Sequence, residues 1–353
     1  MRVDLLRVAD LRCHTAGELR PVAGVTAIVG PNGSGKTSLL EAVHLGTSGT
    51  GLRPTADSRM IRDGADELGV RVEGEAGGAS TTTRVRLTKG ARTLELDGVQ
   101  VDGRTLRERW ASVVFIPDVL DLVKRGPSVR RVAMDRAIEG AWPRFEEHER
   151  AYRQTMEQRN AVLRRVRRRE GTEDELDPWD RQLADHGALI SEARERLVER
   201  LAPFFEERVE LLGSPHGGGL RYEPSLPGDG AALLAALRER RRSDIERQTT
   251  GVGPHLDDLV VELGGRDARR SASQGEQRTL VLAFLLAQAA LISETRGEPP
   301  LLLLDDVLSE LDRDRRTRLV ELGRQHGQVI LTATGADGVD DLADLVHALE
   351  VLV

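Results

Sequence analysis

The stretch Gly30-Pro31-Asn32-Gly33-Ser34-Gly35-Lys36-Thr37, continued by Ser38, limits what this chain can be more than any other. It follows the apolar run Val25-Thr26-Ala27-Ile28-Val29, which reads as a buried strand. It precedes Ser38-Leu39-Leu40-Glu41-Ala42-Val43, which reads as the opening of a helix. Strand, G-x-x-x-x-G-K-[ST] and helix in that order are the signature of a phosphate-binding loop. Gly30, Gly33 and Gly35 let the backbone curl so that successive N–H groups face a phosphate, and the helix N-terminus adds its partial positive charge. Lys36 is placed to reach the β- and γ-phosphates of a nucleotide, and the Thr37 hydroxyl to ligate Mg2+. The competing reading is a glycine-rich turn that holds a lysine by accident. The chain has three lysines, Lys36, Lys89 and Lys124, so such an accident is a poor explanation.

A second strand signal completes the chemistry. Leu301-Leu302-Leu303-Leu304 runs into Asp305-Asp306, a buried parallel strand with acids at its carboxyl end, where open α/β sheets bind ligands. Asp305 has the placement of a Walker B acid, holding Mg2+ directly or through water beside Thr37. Asp306 faces elsewhere by strand alternation and is a candidate to orient or polarise the attacking water. Paired acids after a strand also cap helices; a phosphate loop in the same chain favours the metal reading. Ser273-Gln274-Gly275-Glu276-Gln277 opens another helix. It either presents a hydroxyl, free N–H groups and a helix dipole to an anion or is an ordinary cap.

Between these motifs the character of the chain changes. Gly69 to Val101 alternates in the manner of an antiparallel sheet, and Val113 to Ile116 reads as a buried strand. From Arg130 to about Arg247 strand signals vanish and charged helix formers dominate. Phe145, Tyr152, Met156, Leu163 and Val166, then Trp179, Leu183, Ile190, Leu197, Leu201 and Phe204, mark two heptad-like seams. They predict a short antiparallel coiled-coil hairpin with arms on the order of 30–50 Å. The expected organisation is a discontinuous α/β head, residues 1–127 and 248–353, with a helical arm domain, 128–247, inserted in it. A net charge of −7 speaks against a chain devoted wholly to coating nucleic acid but allows a local basic face. One cysteine, Cys13, excludes an internal disulfide and any multi-cysteine zinc site. No signal-peptide pattern is visible and the longest apolar run, Leu280 to Ile292, is too short to span a bilayer. The expectation is a soluble cytoplasmic protein without membrane contact.

The order of motifs is that of ABC-type ATPase heads: phosphate loop, helical insertion, Ser-x-Gly helix start, Walker B acid, then Ser309-Glu310-Leu311-Asp312. With Leu39-Leu40-Glu41-Ala42, Phe115-Ile116-Pro117-Asp118, Asp121-Leu122-Val123-Lys124, Pro127-Ser128-Val129-Arg130-Arg131 and Gly253-Pro254-His255-Leu256-Asp257-Asp258, the sequence resembles the RecF family of bacterial recombination mediators. These are relatives of SMC-type repair ATPases, and the resemblance covers nearly the whole chain. It departs at Leu256, where an arginine is usual, at Val119, where an acid is common, and at Arg12-Cys13-His14, which replaces Phe-Arg-Asn.

The resemblance implies a mixed-sheet ABC-type head with a helical arm, binding ATP and Mg2+ as a weak, DNA-stimulated ATPase in recombination, replication and the SOS response. It implies an ATP-dependent homodimer in which Ser273 and Gly275 of one subunit contact the γ-phosphate held by Lys36 of the other, with Asp312 crossing the interface. It gives Thr334 the switch position usually held by histidine, and Asp118 a role in sensing Mg2+ and the nucleophilic water. Its partners would be gapped or junction DNA, bound without sequence preference, and RecR- and RecO-like mediators. Arg164 to Arg169 and Arg238 to Arg242 either contact DNA phosphates or are solvated faces. Two other readings remain: a nucleotide-dependent repair scaffold with weak DNA contact, and an ABC transporter ATPase subunit. The Leu-Asp-Asp ending and the heptad hairpin argue against the second.

Overall fold

The computed structural model describes residues 1–52, 59–335 and 339–349, apart from the side chains of Asp118 and Glu310. They pack as two compact units: Met1–Leu120, Phe204–Gly217 and Gln274 onward form the first, Asp121–Pro203 and Gly218–Ser273 the second.

The first unit opens with the hairpin β1 (Arg2–Leu11) and β2 (His14–Leu19). β3 (Val25–Val29), buried at every position, runs into α1 (Lys36–Ser48). β4 (Glu67–Ala76), β5 (Ala79–Thr88), β6 (Arg92–Leu96) and β7 (Val99–Val101) extend an antiparallel sheet ordered β2-β1-β4-β5-β6-β7. Its strands alternate buried and exposed residues because one face alone covers core. Asp102 caps α2 (Gly103–Arg109), and β8 (Ser112–Phe115) follows.

The second unit is mainly helical: α3 (Asp121–Lys124), α4 (Pro127–Ala141), α5 (Phe145–Arg167) and α6 (Asp177–Leu211), whose last residues belong to the first unit. Then come β9 (Gly218–Glu223), α7 (Gly230–Glu239), α8 (Arg241–Arg247), β10 (Asp258–Leu263), β11 (Arg266–Asp267) and α9 (Ala268–Ser271). The strands form a small antiparallel sheet, β11-β10-β9.

The chain re-enters the first unit as α10 (Gln274–Arg296), β12 (Leu301–Leu304), α11 (Arg313–Gln325), β13 (Val329–Ala333) and β14 (Leu345–Ala348). Here β14-β3-β13-β12-β8 form a wholly parallel sheet. α1 lies in one apolar core with both sheets: Leu39, Leu40 and Val43 cluster with Leu6 and Val70 of the antiparallel sheet and with Leu301 and Ile330 of the parallel one. Gly46 permits this approach, since a Cβ there would stand 2.3 Å from Val72 Cγ2.

Three expectations change. The stretch before Arg247 holds a strand after all, β9, whose Gly-Gly start hides it in the sequence and whose pairing with β10 creates it. The second unit also extends beyond 128–247 on both sides while yielding 204–217. Arg130 of α4 grips Asp258 through two hydrogen bonds of 2.7 Å, which ties the 248–273 segment to the helices. The unit boundary inside α6 falls at Pro203, which lacks the N–H for an i→i−4 bond. Finally, α10 as a whole is long and apolar enough to cross a membrane, yet Thr279 to Ile292 are buried within the protein, so packing accounts for its apolarity.

The predicted seam in the second unit is partly apolar and partly ionic. Tyr152, Leu163, Leu183, Ile190, Leu197 and Leu201 are buried, whereas Met156, Val166, Trp179 and Phe204 are half-buried. Among them sits Arg159, fully buried, with Nε 2.7 Å from Asp180 Oδ1 and Nη1 2.8 Å from Asp244 Oδ2 and 2.9 Å from Thr250 Oγ1. Arg241 closes on Asp180 from outside. Arg194 of α6 similarly binds Asp135 at 3.0 Å and the Pro254 carbonyl at 2.6 Å. These charges gather helices that the apolar residues alone hold loosely. Removing one partner leaves uncompensated buried carboxylates, which costs about 3–5 kcal/mol. Arg159→Ala is accordingly expected to lower the unfolding free energy of the helical unit by an amount of that order, read from urea titration by far-UV circular dichroism. A change under about 1 kcal/mol would show that the remaining partners of Asp180 and Asp244 suffice without Arg159.

His255 adds a pH dependence. Its Nε2 lies 3.1 Å from the Thr250 carbonyl, which can only accept, so Nδ1 is left to accept the Tyr152 hydroxyl at 2.7 Å. Burial holds this imidazole below its ordinary 6.5 in the folded protein. The unfolded chain takes up a proton near 6.5 and the folded one does not, so stability is full above that pH and falls as pH drops below it. Burial lowers His326 and His347 in the same direction. Wild-type protein is expected to lose unfolding midpoint between about pH 8 and about pH 5.5, and His255→Asn to lose less over the same interval.

Candidate nucleotide site

In a parallel sheet all carboxyl ends lie on one edge, and the four strands β8, β12, β13 and β3 deliver their next residues to it. The Gly30 N–H bonds the Ala333 carbonyl at 3.2 Å and the Asp305 N–H bonds the Phe115 carbonyl at 2.8 Å. Backbone pairing therefore sets the phosphate loop, the Walker B acid and the residues after β13 side by side.

The loop has the curl that its glycines predict. Gly33 and Gly35 adopt φ of +86° and +91°, values that favour glycine. Gly35 has a second reason, because a Cβ would come 2.3 Å from His14 Nε2. His14, buried, lies with that nitrogen 3.1 Å from the Gly35 carbonyl, while Arg12 bonds the buried Glu41 of α1 at 2.6 Å. The β1–β2 turn thus braces the loop from the side. Lys36 Nζ donates to the carbonyls of Gly30 and Pro31 at 2.7 and 2.8 Å, so its ammonium lies across the loop. Ser34 Oγ is buried with no hydrogen-bond partner. An orphaned hydroxyl in the loop that leads into the N-terminus of α1, two residues before a lysine, fits the oxygens of a nucleotide phosphate. Pro31, Asn32 and Gly33 are exposed, and Ser38, next to Thr37 on α1, is buried.

Thr37 and Asp305 meet across the edge. Thr37 Oγ1 donates to Asp305 Oδ1 at 2.8 Å, joining residues 268 positions apart. A carboxylate and a hydroxyl in contact beside a phosphate loop make a donor set of hard oxygens that suits Mg2+. The same Oδ1 accepts Thr332 Oγ1 at 2.8 Å, and Thr332 Oγ1 in turn accepts the Asp306 N–H at 2.9 Å. Asp306 does not obey strand alternation, because β12 ends at Leu304 and Asp306 turns to φ +49°. Its direction is set by that left-handed turn, and its side chain makes no capping bond to the turn Val307–Glu310.

Of the remaining candidates, Asp118 and Thr334 come just after strands of this sheet, and Ser273, Gly275 and Asp312 lie at helix starts. Asp118 falls in the short turn Pro117–Leu120 after β8, and its side chain lies outside the described residues. Thr334 is exposed one residue beyond β13. Ser273 immediately precedes α10 and Gly275 lies in its first turn. Asp312 caps α11, accepting the Arg315 N–H at 2.9 Å, and the Arg315 guanidinium comes 3.6 Å from where a Gly275 Cβ would stand. The start of α10 and the cap of α11 therefore share a surface of the first unit. Sequence reasoning overlooked Thr332, Arg315 and His14. A hydroxyl inside the otherwise apolar Val329-Ile330-Leu331 run was the available signal for Thr332. His14 was marked only as part of the Arg12-Cys13-His14 departure, and nothing local marked Arg315. His255, Asp257 and Asp258 form no metal cluster among the described residues. They bond Tyr152, Arg194 and Arg130 instead.

A parallel sheet carrying a phosphate loop and a Walker B acid, flanked by an antiparallel sheet, with a Ser-x-Gly helix start, is the head of an ABC-type ATPase. The comparisons narrow the class. Residues 3–350 match the family model described as RecF/RecN/SMC N terminal domain. The DNA replication and repair protein RecF of Myxococcus xanthus (strain DK1622) is 39% identical over all of this chain and 97% of its own. A solved structure of the recombination mediator protein RecF-ATPrS in the RecFOR pathway superposes with a TM-score of 0.91 at 25% identity, over 100% of this chain and 98% of that one. An SMC head domain shares the fold alone, at 16% identity and a TM-score of 0.59 over 98% of this chain and 93% of that one. This chain belongs to the RecF family.

The two acids are separable by experiment. Asp305→Asn removes the charge beside Thr37 and is expected to weaken Mg2+-dependent nucleotide binding. Asp306→Asn is expected to bind ATP normally and hydrolyse it roughly 10²-fold more slowly. Single-turnover assays and nucleotide binding with graded Mg2+ read the two effects apart, and wild-type turnover in Asp306→Asn would rule it out as the base.

Proposed function

We propose that this chain is an ATP-hydrolysing, DNA-binding recombination mediator that dimerises on ATP and helps load a recombinase at gapped or junction DNA. The contact between Thr37 and Asp305 at the strand edge carries the ATPase part of this reading. The similarity along the whole chain to RecF proteins, one of them solved as RecF-ATPrS, supports the remainder.

In this reading Lys36 and the loop N–H groups bind the β- and γ-phosphates, and Thr37 and Asp305 would hold Mg2+, which would supply positive charge to the phosphate oxygens. Asp306 orients and deprotonates the attacking water, with Asp118 and Thr334 completing the ring around the γ-phosphate. Ser273, Gly275 and Asp312 act on the nucleotide of a second subunit, which makes ATP part of the dimer interface. Gly275 at the start of α10 lies near Arg315, which neighbours the Asp312 cap, and this supports a common interface role for Gly275 and Asp312. Turnover is slow and rises on DNA, and RecR- and RecO-like mediators are the protein partners.

The negative net charge is reconciled with DNA binding if the dimer pairs two arginine-bearing surfaces. Arg164, Arg165, Arg167, Arg168 and Arg169 are exposed around the end of α5. Arg241 is spent on Asp177 and Asp180, which leaves the 238–242 run the weaker candidate. Light scattering is expected to report a dimer with ATP and a monomer without it. Ser273→Arg should abolish the dimer and hydrolysis while leaving monomer nucleotide binding intact; loss of that binding would place the helix start in cis. The ATP form should show nearly twice the monomer's log–log salt slope on duplex DNA, at about 0.9 per neutralised phosphate. Changing the five arginines to Gln should flatten it. An unchanged slope in a variant that still dimerises would assign the hairpin to partner docking.

A further inference from the structure

Thr332 is fully buried on β13, and its hydroxyl bonds both acids, as donor to one and acceptor from the other. It donates to Asp305 Oδ1 at 2.8 Å and accepts the Asp306 N–H at 2.9 Å. Leu304 pairs with Leu331, so the next residues, Asp305 and Thr332, stand opposite each other just past the end of β12. Valine would fill the same volume; what threonine adds here is the hydroxyl. Of the two donors on Asp305 Oδ1, Thr37 belongs to the set that would hold Mg2+, and Thr332 does not. When the Thr37 oxygen turns to a cation, Thr332 is the donor left holding the carboxylate. Through Asp306 N–H it also fixes the φ +49° turn from which the Asp306 side chain projects.

We propose that Thr332 is a positioning residue that sets the Asp305 carboxylate for Mg2+ and the Asp306 turn for the water, without touching nucleotide itself. The proposal rests on the ATPase reading above. A groove lined by Arg130, Arg221, Arg269 and Arg270 in the second unit is less informative, since Arg130 and Arg221 are already paired with Asp258, Glu223 and Glu262.

The test uses the full chain, a fluorescent ATP analogue and Mg2+ as the titrant. Thr332→Val is expected to bind the analogue in EDTA as wild type does, but to need about 10-fold or more Mg2+ for its Mg2+-dependent binding, the usual scale for losing a ligand's outer hydrogen bond. Its kcat should fall by a similar factor with KM for ATP changed less than about two-fold. Thr332→Ser, which keeps the hydroxyl, should restore the Mg2+ midpoint. Thr332→Ala, a second way to remove it, should follow Thr332→Val. A wild-type Mg2+ midpoint in Thr332→Val, or a Thr332→Ser as defective as Thr332→Val, would overturn the proposal, the latter by showing that packing is what was lost. The ATPase reading fails on different data: wild-type protein that bound no nucleotide with saturating Mg2+.

Discussion

The pairing of β3 with β13, which sets Val25 beside Val329 and Val29 beside Ala333, is the interaction on which the site depends. Strands from opposite ends of the chain lie parallel, so their carboxyl ends open on one edge. A slip of one residue in a strand exchanges its faces. A slip in β13 would carry Thr332 away from Asp305 and separate the Ala333 carbonyl from Gly30. Full burial of Val25–Val29 and Val329–Ala333 opposes such a slip, since it would disturb close packing on both sides. The chemistry is thus held by backbone register first and by side chains second.

The second unit obeys different physics. Its helices are too polar to be held by an apolar stripe alone, and buried arginines take the place of missing leucines. Buried ion pairs seldom add net stability over apolar packing, but they tolerate few alternative partners. Arg159 reaches Asp180, Asp244 and Thr250. Arg194 reaches Asp135, Pro254 and Asp257. The segment Thr250 to Asp258 is where both sets converge, which gives a physical role to the Gly-Pro-His-Leu-Asp-Asp stretch.

Two stretches at which the sequence departs from the resemblance are placed locally by the structure. Arg12 and His14 bond Glu41 and the Gly35 carbonyl beside the phosphate loop. Leu256 is exposed at 48%.

Much was legible in the sequence because the signals were local. The loop Gly30 to Thr37 and the strand Leu301 to Leu304 declare themselves through glycine spacing and an aliphatic run, and the family resemblance followed from the order of the motifs. The sequence alone determined that the chain carries a phosphate-loop pattern and an aliphatic strand that ends in two acids. Other features were decided only in the folded chain. β9 exists because β10 pairs with it, and Asp306 turns because the strand ends at Leu304. Thr332 and Arg315 gain roles from neighbours 27 and 40 positions away in the chain, and Arg159 from Asp244, 85 away. A residue's partner across such separations depends on register and burial, which follow from the free energy of the whole fold and not from any window of sequence.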